Sequence, residues 1–160
     1  TNGFCDNGVK CEKGWFGPQC QYQDLTVNAT FTPERLESIL SDGDDTTCNE
    51  RPTDNSVSVE LRNASLITWI RLSYNDSVSE SPNLYEIKLE LKVTGTDQSA
   101  TKCDGQKKYV DKENNIIDIK CDLKFESAKI NISGEVVGYL CSIYISGGRN
   151  IALKQNASQS

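Results

Sequence analysis

From Tyr85 to Val93 the apolar residues fall on every second position: Tyr85, Ile87, Leu89, Leu91 and Val93, with Glu86, Lys88, Glu90 and Lys92 between them. A period of two belongs to a strand with one face on a core and the other in water, so this run predicts a half-buried antiparallel strand. Shorter runs of the same kind flank it. Val57, Val59 and Leu61 alternate with Ser58, Glu60 and Arg62, and the stretch from Leu66 to Tyr74 carries Trp69, Ile70 and Leu72. Ile116, Ile117 and Ile119 follow, then Ala128, Ile130 and Ile132, then the stretch from Tyr139 to Ile145. Turn residues separate the runs at Gly95, Gly105, Gly134, Gly138 and Gly147-Gly148. The chain from Asp24 to Ser146 therefore reads as an all-β unit, a sandwich or a barrel. The one helical candidate runs from Pro33 to Leu40, with Thr32 as its N-cap and Pro33 in its first position.

The 160 residues carry a net charge of -6, seven cysteines and no histidine. An acidic surface disfavours nucleic acid, whose phosphates need basic contacts, and it disfavours a polybasic membrane-surface module. Without histidine there is no Ser-His-Asp or Cys-His catalysis, no His-ligated zinc and no histidine pH switch. No apolar run approaches the ~20 residues of a membrane span, so no direct insertion is expected. Asn28, Asn63, Asn75, Asn131 and Asn156 each begin an N-x-S/T sequon. Sequons and cysteines together predict an oxidising compartment: a secreted protein, or the extracellular part of a membrane protein. No signal peptide is visible, and the chain reads as a piece of a longer extracellular protein.

Residues 1–22 are compositionally distinct, with Cys5, Cys11 and Cys20, several glycines and almost no apolar run. So little apolar area cannot form a core, so disulfides must supply the order. The segment Cys11-Glu12-Lys13-Gly14-Trp15-Phe16-Gly17-Pro18-Gln19-Cys20 resembles the last loop of an EGF-like repeat, C-x-x-G-[YFW]-x-G-x-x-C. The resemblance implies a Cys11–Cys20 bridge and places the partner of Cys5 upstream of Thr1. The expected division is 1–22 as a partial EGF-like repeat, 23–147 as the β-sandwich, and 148–160 as a linker or the start of a following similar domain.

Asp42-Gly43-Asp44-Asp45-Thr46-Thr47-Cys48 resembles a segment of galactose-binding-like domains, which include F-type lectins (fucolectins) and the discoidin domains of coagulation factors. Leu140-Cys141-Ser142-Ile143-Tyr144-Ile145 is similar to the family's closing strand, L-C-E-[VI]-x-[VI], with Ser142 in place of the glutamate. The tail from Arg149 to Ser160 resembles the family's opening, N-[VI]-A-L-x-x-x-A-x-Q-S. These resemblances imply an eight-stranded jelly-roll sandwich, the bridges Cys48–Cys141 and Cys103–Cys121, and neighbouring domains on both sides in the parent chain.

The resemblance also implies a calcium site, with Asp42, Asp44, Asp45 and Cys141 as its candidates; calcium takes several hard oxygen ligands. The alternative is a solvated acidic turn with Gly43 at positive φ. Fucose-binding members use a histidine and an R-x-D motif. Here Tyr74-Asn75-Asp76-Ser77-Val78-Ser79-Glu80-Ser81-Pro82 stands where that motif would fall, and the arginine is absent. Arg35, Arg51, Arg62 and Arg71 read as surface charges, Trp15 as the packing aromatic of the EGF loop, and Trp69 as core. Glu34 and Glu37 read as solvated helix charges. The expected function is a non-catalytic extracellular recognition or adhesion module for a protein or glycan ligand. The alternatives are a calcium-dependent lectin with a non-standard sugar site and a structural spacer.

Overall fold

The computed structural model describes residues 11–75, 83–93, 103, 107–121, 123 and 125–148. Its strands are β1 (Trp15–Phe16), β2 (Tyr22–Gln23), β3 (Thr30–Thr32), β4 (Ser56–Ser65), β5 (Trp69–Tyr74), β6 (Lys88–Val93), β7 (Lys107–Asp111), β8 (Ile116–Lys120), β9 (Ser127–Ser133) and β10 (Leu140–Ser146). Two four-stranded sheets, ordered β3-β4-β9-β6 and β10-β5-β8-β7, form a jelly-roll sandwich; β1 and β2 form a separate hairpin.

The core follows from register. In one sheet Val57, Ile132 and Leu89 lie side by side, as do Val59, Ile130 and Leu91. In the other, Ile145, Ile70 and Ile119 form one row, and Ile143, Leu72, Ile117 and Val110 form the next. Apart from Val110 these side chains are buried. Each such burial contributes about 1.5–3 kcal/mol, set against the chain entropy lost on folding. Between Ile130 and Ile132, Asn131 pairs with Ser58 and Glu90 on the opposite face and stays half-buried, as the alternation requires.

Among the described residues three disulfides pair Cys11 with Cys20, Cys48 with Cys141, and Cys103 with Cys121. Cys5 and the tail from Arg149 lie outside the described residues. Gly17 in the first bridged loop sits at φ +96°, and a Cβ there would lie 2.6 Å from the Tyr22 ring. The turn and the ring contact both require glycine.

Several sequence expectations need correction. Thr32 is not a helix cap: it pairs with Ser58 as the last residue of β3, and a cis peptide joins it to Pro33. A 3-10 turn at Glu34–Leu36 then leads into the short helix α1 (Glu37–Leu40). β7 was not expected; its residues are half-buried or exposed, and among the described residues it pairs only with β8. The strand predicted from Tyr85 starts at Lys88, leaving Tyr85 63% exposed.

Trp69 is buried, but outside the sandwich core. It lies on the outer face of its sheet in a cluster with Phe16, Tyr22 and Tyr144. The Phe16 ring is 4.8 Å from Trp69 and 5.2 Å from Tyr144, and Tyr22 meets Trp69 edge-on at 4.6 Å. Phe16 is fully buried while Trp15 is half-buried, so Phe16 is the aromatic that packs the bridged loop. Two backbone bonds secure the junction: Asp24 N–H to Gly14 O at 2.8 Å and Leu25 N–H to Ile145 O at 2.8 Å.

Candidate functional site

The sandwich has a groove of about 780 Å³ at the end where β4 and β6 begin and β9 finishes. Its shape comes from turn chemistry. Asn83 accepts the Glu86 N–H on its backbone oxygen at 3.2 Å and the Tyr85 N–H on its side-chain oxygen at 3.3 Å. This turn interrupts the alternation before β6 and leaves Tyr85 among the residues lining the groove. Gly134 closes the floor. At φ +140° it brings β9 so close to β6 that a Cβ would sit 3.3 Å from the Glu86 carbonyl oxygen. The Gly134 N–H donates to Asn55 O at 2.9 Å, which joins the start of β4 to the same floor.

Lys108 crosses from the other sheet. Its ammonium donates to the Tyr85 carbonyl at 3.0 Å and to the Ile87 carbonyl. Burial lowers the Lys108 pKa from the ordinary lysine value. Asn55, Ser56, Glu86, Lys88 and Glu135 supply further donors and acceptors around the groove. An exposed aromatic ring beside mixed polar groups can hold a ligand with one apolar face and several hydroxyls. Tyr85 was legible as apolar but not as exposed; Asn83 was the signal for the turn.

The expected calcium residues lie elsewhere. The Asp42 carboxylate accepts the Asp44 N–H at 2.8 Å, and Asp44 accepts the Thr46 N–H at 2.9 Å and the Thr46 hydroxyl at 2.6 Å. Asp45 accepts the Tyr144 hydroxyl at 3.0 Å, and Cys141 is bonded to Cys48. Burial, and then the Asp45 charge, raise the Tyr144 pKa. Among the described residues no group of three or more His, Cys, Asp or Glu side chains is placed to hold a metal ion. These carboxylates close turns and anchor a tyrosine.

A crevice of about 220 Å³ separates this loop from the hairpin, with Trp15, Asp24, Asp42 and Tyr144 among its walls. Burial pushes the Asp24 carboxyl up to about 6, against the opposing pull of the Thr26 and Ile145 donors. Nothing in the sequence marked Asp24.

At the sugar position implied by the resemblance, Tyr74 is buried and the Asn75 N–H donates to Tyr139 O at 2.9 Å. Residues 76–82 lie outside the described residues. Asn28 and Asn63 are exposed, and Asn75 and Asn131 are half-buried; Asn156 lies outside the described residues. Arg51 and Arg62 are exposed, as are Glu34 and Glu37. Arg35 pairs with Asp54. Arg71 is not a surface charge: it is 8% exposed and makes a bidentate pair with Asp118 at 2.8 and 2.9 Å.

No protein-family model matches the chain, and no curated protein matches it. Solved structures do. A family 62 carbohydrate-binding module from Clostridium thermocellum Xyl5A aligns with a TM-score of 0.52 at 12% identity, covering 71% of this chain and 84% of that one. The family 32 module of NanJ from C. perfringens, solved in complex with galactose, aligns with a TM-score of 0.50 at 16% identity, covering 78% and 97%. At such identities the likeness is one of fold: this chain has the sandwich of the galactose-binding-like class.

Proposed function

We propose that the chain is a non-catalytic glycan-recognition module that holds a sugar in the end groove, with Tyr85 as its stacking platform. The observation that carries this reading is the exposed Tyr85 ring on a turn fixed by Asn83 and Lys108. A pyranose has one C–H-rich face for such a ring and equatorial hydroxyls for Asn55, Glu86 and Glu135 around it. Fixing the turn before binding reduces the ordering cost of association. The carbohydrate-binding modules that share the fold support the ligand class by analogy. Three disulfides suit the extracellular setting, where glycans are displayed.

A glycan array on the intact chain, followed by calorimetry with the best ligand and with Tyr85→Ala, tests the reading. Loss of the array signal in Tyr85→Ala is expected. An array with no ligand, or undiminished binding by Tyr85→Ala, would refute it and favour the spacer.

A further inference from the structure

The outer face of β8 and β7, beside the hairpin, carries a second constellation unrelated to the groove. Lys107 and Lys120 are direct cross-strand partners. Like charges directly opposite one another are unfavourable in a sheet, and the Lys120 ammonium turns toward Trp69, its partner on β5. Neither lysine forms an ion pair with a described carboxylate. The Lys120 ammonium lies 3.6 Å from the Trp69 ring centroid, and the Arg71 guanidinium carbon lies 4.7 Å from it. Asp118 is already engaged by Arg71 and by the Trp69 indole N–H at 2.8 Å. One Arg71 nitrogen, Nη1, is buried without a hydrogen-bond partner. Next to Asp118 in the register, Tyr109 is 57% exposed. Lys107, Lys120 and Arg71 thus share the outer face of this sheet with Asp118 and, at the end of β7, Asp111, beside the open Tyr109 ring, on a chain whose net charge is -6.

We propose that this face binds an acidic carbohydrate, a sugar unit bearing sulfate or carboxylate, with Lys107 and Lys120 on the anion and Tyr109 under the ring. Charge complementarity selects the anion, because the local positive charge stands against an acidic chain. The exposed tyrosine selects a sugar over a bare anion or an acidic peptide. The site is independent of the Tyr85 groove and stands or falls separately from it.

Calorimetry on the full chain, with a sulfated and a carboxylated oligosaccharide of one backbone, tests the assignment. Hexaglutamate and the neutral oligosaccharide serve as controls. Binding of either acidic sugar, weakening with added salt, is expected, and the tighter of the two identifies the acid. Lys107→Gln/Lys120→Gln should weaken it about tenfold, and Tyr109→Ala should weaken it as well, whereas Tyr85→Ala should leave it unchanged. Lys107→Gln alone, at an exposed edge position, keeps the test valid if the double variant is unstable. Equal binding of hexaglutamate, unchanged binding by the lysine variants, or no heat with either acidic sugar would overturn the assignment.

Discussion

The Lys108 ammonium donates to the Tyr85 carbonyl across the gap between two sheets, so the exposed ring rests on a turn that both sheets hold in place. Lys108 is thereby a positioning residue, distinct from the ring it supports. Lys108→Met should weaken sugar binding roughly fivefold, while Tyr85→Ala should abolish the stacking contact altogether. Thermal melts of Lys108→Met should stay close to wild type, and calorimetry should register the lost affinity.

Asp24 gives the chain an unusual pH response. Its folded-state carboxyl titrates at about 6 and its unfolded one near 3.8. The folded form therefore keeps its proton over a range where the unfolded form has lost it. The resulting stabilisation is complete below 3.8 and drains away as pH rises to about 6. The span of the effect is at most about 3 kcal/mol. Asp54 and Asp111, whose pKa values are lowered, act with the opposite sign at more acidic pH. Denaturant midpoints measured across this window should fall with rising pH in wild type, and the Asp24 contribution should vanish in Asp24→Asn.

The Cys48–Cys141 bridge closes 93 positions of chain. Replacing both cysteines by alanine should cost about 4 kcal/mol, and replacing Cys103 and Cys121 about 3, by loss of the constraint on the unfolded state. Urea denaturation of the two double variants would rank them.

The calcium expectation changes with the geometry, whereas the fucose expectation stands. Asp42, Asp44 and Asp45 are committed to local donors, so melts in calcium and in chelator should coincide. A rise in melting temperature with calcium would show that the loop rearranges around the ion. The chain has no histidine, and its Tyr74-Asn75-Asp76 lacks the arginine of R-x-D. Titration with fucose at millimolar concentration should therefore give no saturable heat.

The sandwich was legible wherever both neighbours of a residue declared their side. Ile130 and Ile132 fixed Asn131 between them, and the register followed. β7 escaped because Lys107, Tyr109 and Asp111 face outward and Lys108 takes an inward position, which leaves Val110 as the one apolar residue on its inner side. Parity placed Tyr85 on the buried face, yet parity does not tell where a strand begins; the turn at Asn83 decides that. The groove draws on four separate stretches of chain, and the Asp45–Tyr144 bond spans 99 positions. Such meetings arise from topology, and local sequence does not record them. Arg71 looked like surface charge because its partner, Asp118, lies 47 residues away.

The docked hairpin also governs where the chain can be cut. The sandwich strands start with β3 at Thr30, and a boundary before Asp24 would leave every one of them in place. It would also strip Phe16 and Tyr22 from Trp69 and Tyr144, uncovering a contiguous aromatic face of the kind that drives self-association. The smallest fragment that keeps this face covered therefore begins at the Cys11–Cys20 loop, ahead of the first strand of the sandwich.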